Sequence, residues 1–206
     1  MKPFTIHRGT TVALMDDNIN TDQILPSTFL SRIEKKGFGQ FLFFNWRYIA
    51  NNNQKPNPEF PLNYPEHKGA SILVTGDNFA GGSSREHAVW ALDDYGFRVV
   101  IAGSFSDIFY MNSLKNGLLA LTLPLEERQI LANLPSDEAI EVNLEDQTIT
   151  TAHHHFTFSI DEEWRHKLLG GIDDITETLE HLDAIKAYED KWNDFYQTND
   201  QVKALS

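Results

Sequence analysis

There is no cysteine in this chain. That absence excludes disulfides, thiolate zinc sites and cysteine-ligated iron–sulfur clusters within it, so any such cluster it works with must be held by another polypeptide. It also fits a reducing cytoplasm. Positive charge is scarce as well: 17 Lys and Arg stand against 30 Asp and Glu, giving a net charge of -13 and a pI near 4.9. Such a field repels a phosphate backbone, and no nucleic-acid partner is expected. Arg32, Lys35 and Lys36 cluster, but they are too few to overcome it. No apolar run is long enough to cross a bilayer, and the opening MKPFTIHRGT lacks the features of a secretory signal or a transit peptide. A soluble, cytoplasmic chain with no membrane partner is the expectation. G-x-S-x-G, P-loop and H-E-x-x-H patterns are also missing.

What remains is ordinary globular composition, 41% apolar and 23% charged over 206 residues, which suits one domain spanning 1–206. Thr10–Leu14 reads as a strand, followed by the polar, turn-rich DDNINTDQILP, long enough to be functional. The aromatic stretch GFGQFLFFNWRY has two readings, core or subunit packing and a substrate-facing apolar wall. Asn51–Pro65, rich in proline and asparagine, reads as an ordered but irregular loop.

Ser71–Thr75 predicts a strand, GDNFAGG a glycine-rich turn, and Ser84–Tyr95 a helix whose Ala88, Ala91, Leu92 and Tyr95 recur with helical period until Gly96 closes it. Val99–Ala102 is a second buried strand, a short helix runs from Asp107 to Asn116 before Gly117, and Leu118–Leu123 is apolar again. This β–loop–α–β unit implies a parallel pair and an α/β layer. Ile140–Asn143, Thr148–Thr151 and Phe156–Ile160 alternate as half-exposed strands do, with Glu145-Asp146-Gln147 as a turn, so the sheet is expected to be mixed. From Ile175 the series Leu179, Leu182, Ile185, Tyr188, Trp192 and Phe195 predicts a C-terminal helical arm over about 172–200.

The chemistry concentrates in GDNFAGGSSREHA, Gly76 to Ala88. Glycines permit a tight turn, and two serines and an arginine then stand at a helix start, where free N–H groups and the helix dipole favour an anion. Ser83-x-x-Glu86 satisfies a capping box and needs no catalytic role. Capping and anion binding are nonetheless compatible, with Ser84 capping and Ser83 pointing outward. Arg85 reads either as a surface salt bridge or as a planar fork for a carboxylate, and His87 as a packed histidine before a ligand. A serine hydroxyl acts as a base only where backbone donors and cations stabilise its alkoxide, and a Gly-Gly turn into a helix supplies such donors. His153, His154 and His155 suggest a metal cluster, but consecutive strand residues face alternate sides, which is poor three-ligand geometry. Asp16, Asp17, Asp22, Asp93 and Asp94 offer carboxylate pairs, yet acids in loops and near helix ends are common.

At GSSREHA the chain resembles the small, swivelling domain of the aconitase superfamily, and within it the small-subunit family of bacterial 3-isopropylmalate dehydratases. DDNINTDQILP resembles that family's N-T-D-x-I-x-P loop, KGFGQFLFFNWRY its aromatic segment, DYGFRVVIAGSFSDIFYMNSLKNGLL its strand–helix after the serine motif, and GGIDDITETLEHLDAIKAYE its C-terminal arm. The resemblance implies a swivelling β/β/α fold of the α/β class, with a mixed, partly parallel sheet. It implies a hydro-lyase of leucine biosynthesis that isomerises 2-isopropylmalate to 3-isopropylmalate through isopropylmaleate. It further implies a large-subunit partner carrying a [4Fe–4S] cluster whose open iron acts as Lewis acid on the leaving hydroxyl. Carried over to this sequence, Ser83 is the base, Ser84 and Arg85 bind substrate carboxylate, and Thr21 and Asp22 lie in the loop facing the site. A second substrate-binding arginine of aconitase-like domains has no clear counterpart here, Arg32 and Lys35 being only approximate matches. Citraconate- and homoaconitate-type relatives share much of the pattern, and the aromatic segment favours the leucine-pathway type. A non-catalytic anion-binding module and an assembly subunit docking by its terminal helix are readings from other classes.

One departure is visible. The family pattern N-F-G-C-G-S-S-R-E is NFAGGSSRE here, so Ala80 and Gly81 stand for glycine and cysteine, and Ala80 is expected to keep a negative φ.

Overall fold

A computed structural model of the chain describes residues 1–30, 36–173, 176, 178–179 and 182–190. They fall in two compact units, Met1–Gly171 and Ile172–Ser206. The second unit holds the stretch read as a terminal arm. Its residues 182–190 are helical, and Thr176 donates both its N–H and its hydroxyl to the Asp173 carboxylate, 2.9 and 2.8 Å away. Those bonds, the backbone one first, hold that carboxyl well below the usual carboxylate range. Ile175, Trp192 and Phe195 lie outside the described residues, as do Arg32 and Lys35.

The first unit is built on one seven-stranded sheet. Its strands are β1 (Ile6–Leu14), β2 (Ile72–Thr75), β3 (Val99–Ala102), β4 (Leu119–Thr122), β5 (Ala139–Asn143), β6 (Thr148–Thr150) and β7 (His155–Thr157), in the order β4-β3-β2-β1-β5-β6-β7. β1 to β4 are parallel, and β5 to β7 add on antiparallel beyond β1. The expected mixed α/β sheet is therefore present. Every residue of β2 and β3 is buried, as continuous apolar runs must be when both faces are covered. β5 alternates exposed and buried, with Ile140 and Val142 inward.

Alternate strand residues feed two cores. Val12, Leu14, Leu73 and Val100 pack with Phe38, Leu42, Phe43, Ala88 and Leu92. Ile72, Val74, Val99 and Ile101 pack on the other face with Leu131, Leu168, Ile140 and Ile149. Packing accounts for most of the aromatic stretch: Phe38 and Phe43 are fully buried, and the Phe43 ring lies parallel to Trp46. Phe29 stacks on Phe41 at 4.1 Å.

Among the described residues of this unit the α-helices are the one-turn α1 (Thr21–Ile24) and α2 (Phe44–Arg47), then α3 (Glu86–Tyr95), α4 (Asp107–Asn116), α5 (Leu125–Ala132) and α6 (Glu162–Gly170). α3 and α4 end as the sequence predicts, on Gly96 and Gly117 in the left-handed region. Two expectations are corrected and two helices are added. β1 starts at Ile6, four residues before Thr10, because its first half pairs with β5. α5 and α6 were not expected. α3 begins at Glu86 and not at Ser84, with Arg85 as its N-cap and no side-chain cap bond.

Candidate active site

The four parallel strands all point their carboxyl ends to one edge, where the loops after β1, β2 and β3 meet. Ligands of open α/β sheets bind at such an edge. The loop after β2 lies between the other two and is laced to both. Asn18 N–H donates to the Asp77 carbonyl (2.8 Å), Ala80 N–H to that of Ile19 (2.6 Å) and Thr21 N–H to that of Gly81 (3.0 Å). From the β3 side, the Ser104 carbonyl accepts from Phe79 N–H (2.9 Å), and the Ser106 hydroxyl donates to the Ala80 carbonyl (2.8 Å). This places Ser83 beside Thr21 although they are 62 residues apart in the chain.

The capping-box reading of Ser83 fails. The helix starts two residues too late for it; a capping box is present at a different helix, α1, where Asn20 accepts from Gln23 N–H at 2.9 Å and Gln23 accepts from Asn20 N–H at 2.7 Å. Ser83 and Ser84 are both exposed at the rim. The Ser83 hydroxyl lies 3.2 Å from that of Thr21, which is 1% exposed. Thr21 also accepts the Ser83 N–H at 3.3 Å, and either hydroxyl of the pair can donate to the other. Arg85 donates through Nη1 to Asp22 at 2.5 Å, its side chain 20% exposed against 58% for the carboxylate. Of the five residues singled out in the sequence, Ser83 thus pairs with Thr21 and Arg85 with Asp22, and Ser84 stands exposed between Ser83 and Arg85 in the chain.

Backbone conformation along the loop corrects another expectation. Ala80 takes φ of 61° and Gly82 of 101°, both left-handed, and Ala80 is buried. Ala80 therefore adopts the conformation that glycine in the family pattern would hold without strain. Gly81 is not left-handed, and a Cβ there would meet Asn78 atoms at 3.7–3.9 Å, ordinary contact distance, so a side chain is accommodated where the pattern has one.

Asp22 borders a hollow of about 570 Å³ whose apolar wall is Pro26, Phe29 and Phe44, so Phe44 packs into the core and also edges a space near Arg85. His87 takes the packed reading, its ring 4.6 Å from Trp90 and 5.5 Å from Phe38. His153 and His154 form the turn between β6 and β7, with Thr151 accepting both their N–H groups, and His155 opens β7. Among the described residues no three His, Cys, Asp or Glu converge as a metal site. Asp17 accepts from Asp77 N–H at 2.6 Å and so serves loop structure. Sequence reasoning missed Asp77 and Arg128, an ion pair at the base of the serine loop for which no local pattern stood.

Comparison with known proteins points the same way. The aconitase C-terminal domain family matches residues 1–126. The 3-isopropylmalate dehydratase small subunit of Listeria monocytogenes serotype 4a (strain HCC23) is 56% identical over 191 residues, covering 93% of this chain and 98% of the relative. That of Bacillus thuringiensis subsp. konkukian (strain 97-27) is 57% identical over 189 residues, covering 92% and 97%. Among solved structures, a 3-isopropylmalate dehydratase from Methanocaldococcus jannaschii superposes with a TM-score of 0.64 over 89% of this chain and 99% of that one. At 22% identity that likeness concerns the fold.

Proposed function

The chain belongs to the family of 3-isopropylmalate dehydratase small subunits, and from that premise we propose that it supplies the proton-transferring half of a shared active site. Its function is that of a hydro-lyase subunit in leucine biosynthesis: 2-isopropylmalate loses water to isopropylmaleate, and water returns in the opposite sense to give 3-isopropylmalate.

Ser83 is the base in this reading. Its oxygen takes the proton from the carbon next to the one bearing the hydroxyl, and on rehydration delivers it to the other carbon of the double bond. The observation that carries the assignment is the Ser83–Thr21 pair, an exposed hydroxyl at the carboxyl edge of the sheet facing a buried one that can donate to an alkoxide. Arg85 binds a substrate carboxylate. Among the described residues only its Nη1 is engaged, by Asp22, so Nε and Nη2 remain for a bidentate bond. Ser84, exposed between the two, adds a hydroxyl to the same carboxylate. Asp22 aims the guanidinium, and Thr21 contributes to the substrate site by fixing Ser83.

A small subunit implies a large one. This chain has no thiolate to ligate an iron–sulfur cluster, so its own residues do not fit that group. The [4Fe–4S] cluster is assigned to the large subunit, where it would act as Lewis acid on the hydroxyl. The complex is expected in the cytoplasm. Ser83→Ala tests the assignment: assembled with the large subunit, the variant should lose at least about 100-fold in kcat, the scale of a general base, while complex formation persists. Unchanged turnover would leave an anion-binding role for the loop.

A further inference from the structure

Arg128 lies on α5, packed on the face of the sheet opposite α3, and its side chain is 3% exposed. A guanidinium stays charged at any physiological pH, so its burial is tolerated only when its donors are matched. Here three acceptors match them at the carboxyl edge: Nε donates to the Leu123 carbonyl (3.0 Å), Nη1 to that of Thr75 (2.8 Å) and Nη2 to the Asp77 carboxylate (2.5 Å). Leu123 follows β4, Thr75 ends β2, and Asp77 is the second residue of the serine loop. Asp77 is also where the neighbouring loop attaches, since Asp17 accepts its N–H and its carbonyl accepts from Asn18.

We propose that Arg128 is a positioning residue for Ser83: it pins Asp77 from beneath and so fixes the shared base of the two loops that bring Ser83 and Thr21 together. The inference rests on Ser83 being the base. A surface ion pair would not do this, because both partners would move in water. Here the cation is immobilised by two strand-end carbonyls, and the carboxylate, 60% exposed, is the part being held. Gly103, at the end of β3, makes room for the pair: a Cβ there would stand 1.7 Å from the Asp77 oxygen and 2.3 Å from Nη2. Removing Arg128 would leave the Asp77 carboxylate without the cation that holds it.

The test uses the complex with the large subunit and the variants Arg128→Gln, Asp77→Asn and the double substitution. Base misplacement should appear in kcat, falling about tenfold, with KM changed by no more than about threefold. The double variant should be no slower than the worse single one, because both break one link. Should Arg128→Gln fail to assemble, Asp77→Asn decides, since its side chain is largely solvent-facing. A folded Asp77→Asn complex with wild-type kcat, or losses that multiply in the double variant, would overturn the proposal. Ser83→Ala run alongside separates the two ideas: if it turns over normally the base assignment fails, whereas its inactivity with a fully active Asp77→Asn refutes the positioning role alone.

Discussion

β1 and β2 are neighbours in the sheet yet joined through residues 15–71, whereas β5 and β6 are joined through 144–147 and β6 and β7 through 151–154. The reason is geometric. A parallel strand must begin again at the edge where its predecessor began, so its connections are long and leave from one edge. Antiparallel strands reverse in a tight turn. The first half of the sheet therefore gathers three loops at a single edge, with Ser83, Thr21, Asp22 and Arg85 among them, while the second half spends its polar residues on its own turns. A run of three histidines draws the eye in the sequence, but it spans a hairpin turn and the first residue of β7. Two serines and a threonine from distant loops make the more capable arrangement.

Substitutions can break this contrast or sharpen it. After Ser83→Ala, the largest effect is expected from Arg85→Lys, which keeps the charge and removes the planar fork. kcat/KM should fall about 10- to 100-fold, as for a lost charge-assisted hydrogen bond. Steady-state kinetics on the assembled complex reads this directly, and a wild-type value would mean that Arg85 is no more than a surface ion pair with Asp22. Ala80→Gly comes next and acts on stability: relief of a left-handed alanine outweighs the entropy glycine brings to the unfolded chain, for a net gain of about 0.5–1 kcal/mol. Thermal denaturation should show Tm rising by a few degrees, and a fall would show that the loop holds Ala80 at no cost. The smallest effect belongs to the antiparallel half. His153, His154 and His155 replaced together by Asn should leave kcat and KM within about twofold of wild type, in the range of surface changes away from a site. A larger loss would move part of the site to that hairpin.

Much of the parallel half was legible because its code is local. Buried strands such as Val99–Ala102 are continuous apolar runs, and α4 closes on Gly117 as a left-handed C-cap requires. α5 and α6 escaped for a physical reason. Their inward positions include Arg128 and Lys167, long side chains that bury aliphatic stems, so the apolar period is interrupted where it would have been read. β1 was cut short since Ile6 to Thr10 do not alternate in polarity, being held by pairing with β5. In the site, residue types and the serine motif were readable, but the partners of Ser83 and Arg85 were not derivable from spacing. The N-T-D resemblance located Thr21 and Asp22, and only the lacing of two loops shows what each holds. Ser83 as a cap is a reasonable local reading, defeated because α3 begins only at Glu86, with Arg85 as its N-cap.

The account stands most directly on reconstitution. Purified chain, wild type or Ser83→Ala, would be mixed anaerobically with a cluster-loaded large subunit while the absorbance of isopropylmaleate is followed. Turnover is predicted only in the mixture containing wild-type chain, with the variant binding the large subunit but remaining silent. Isopropylmaleate conversion by the small chain alone, or at the wild-type rate with Ser83→Ala, would contradict it.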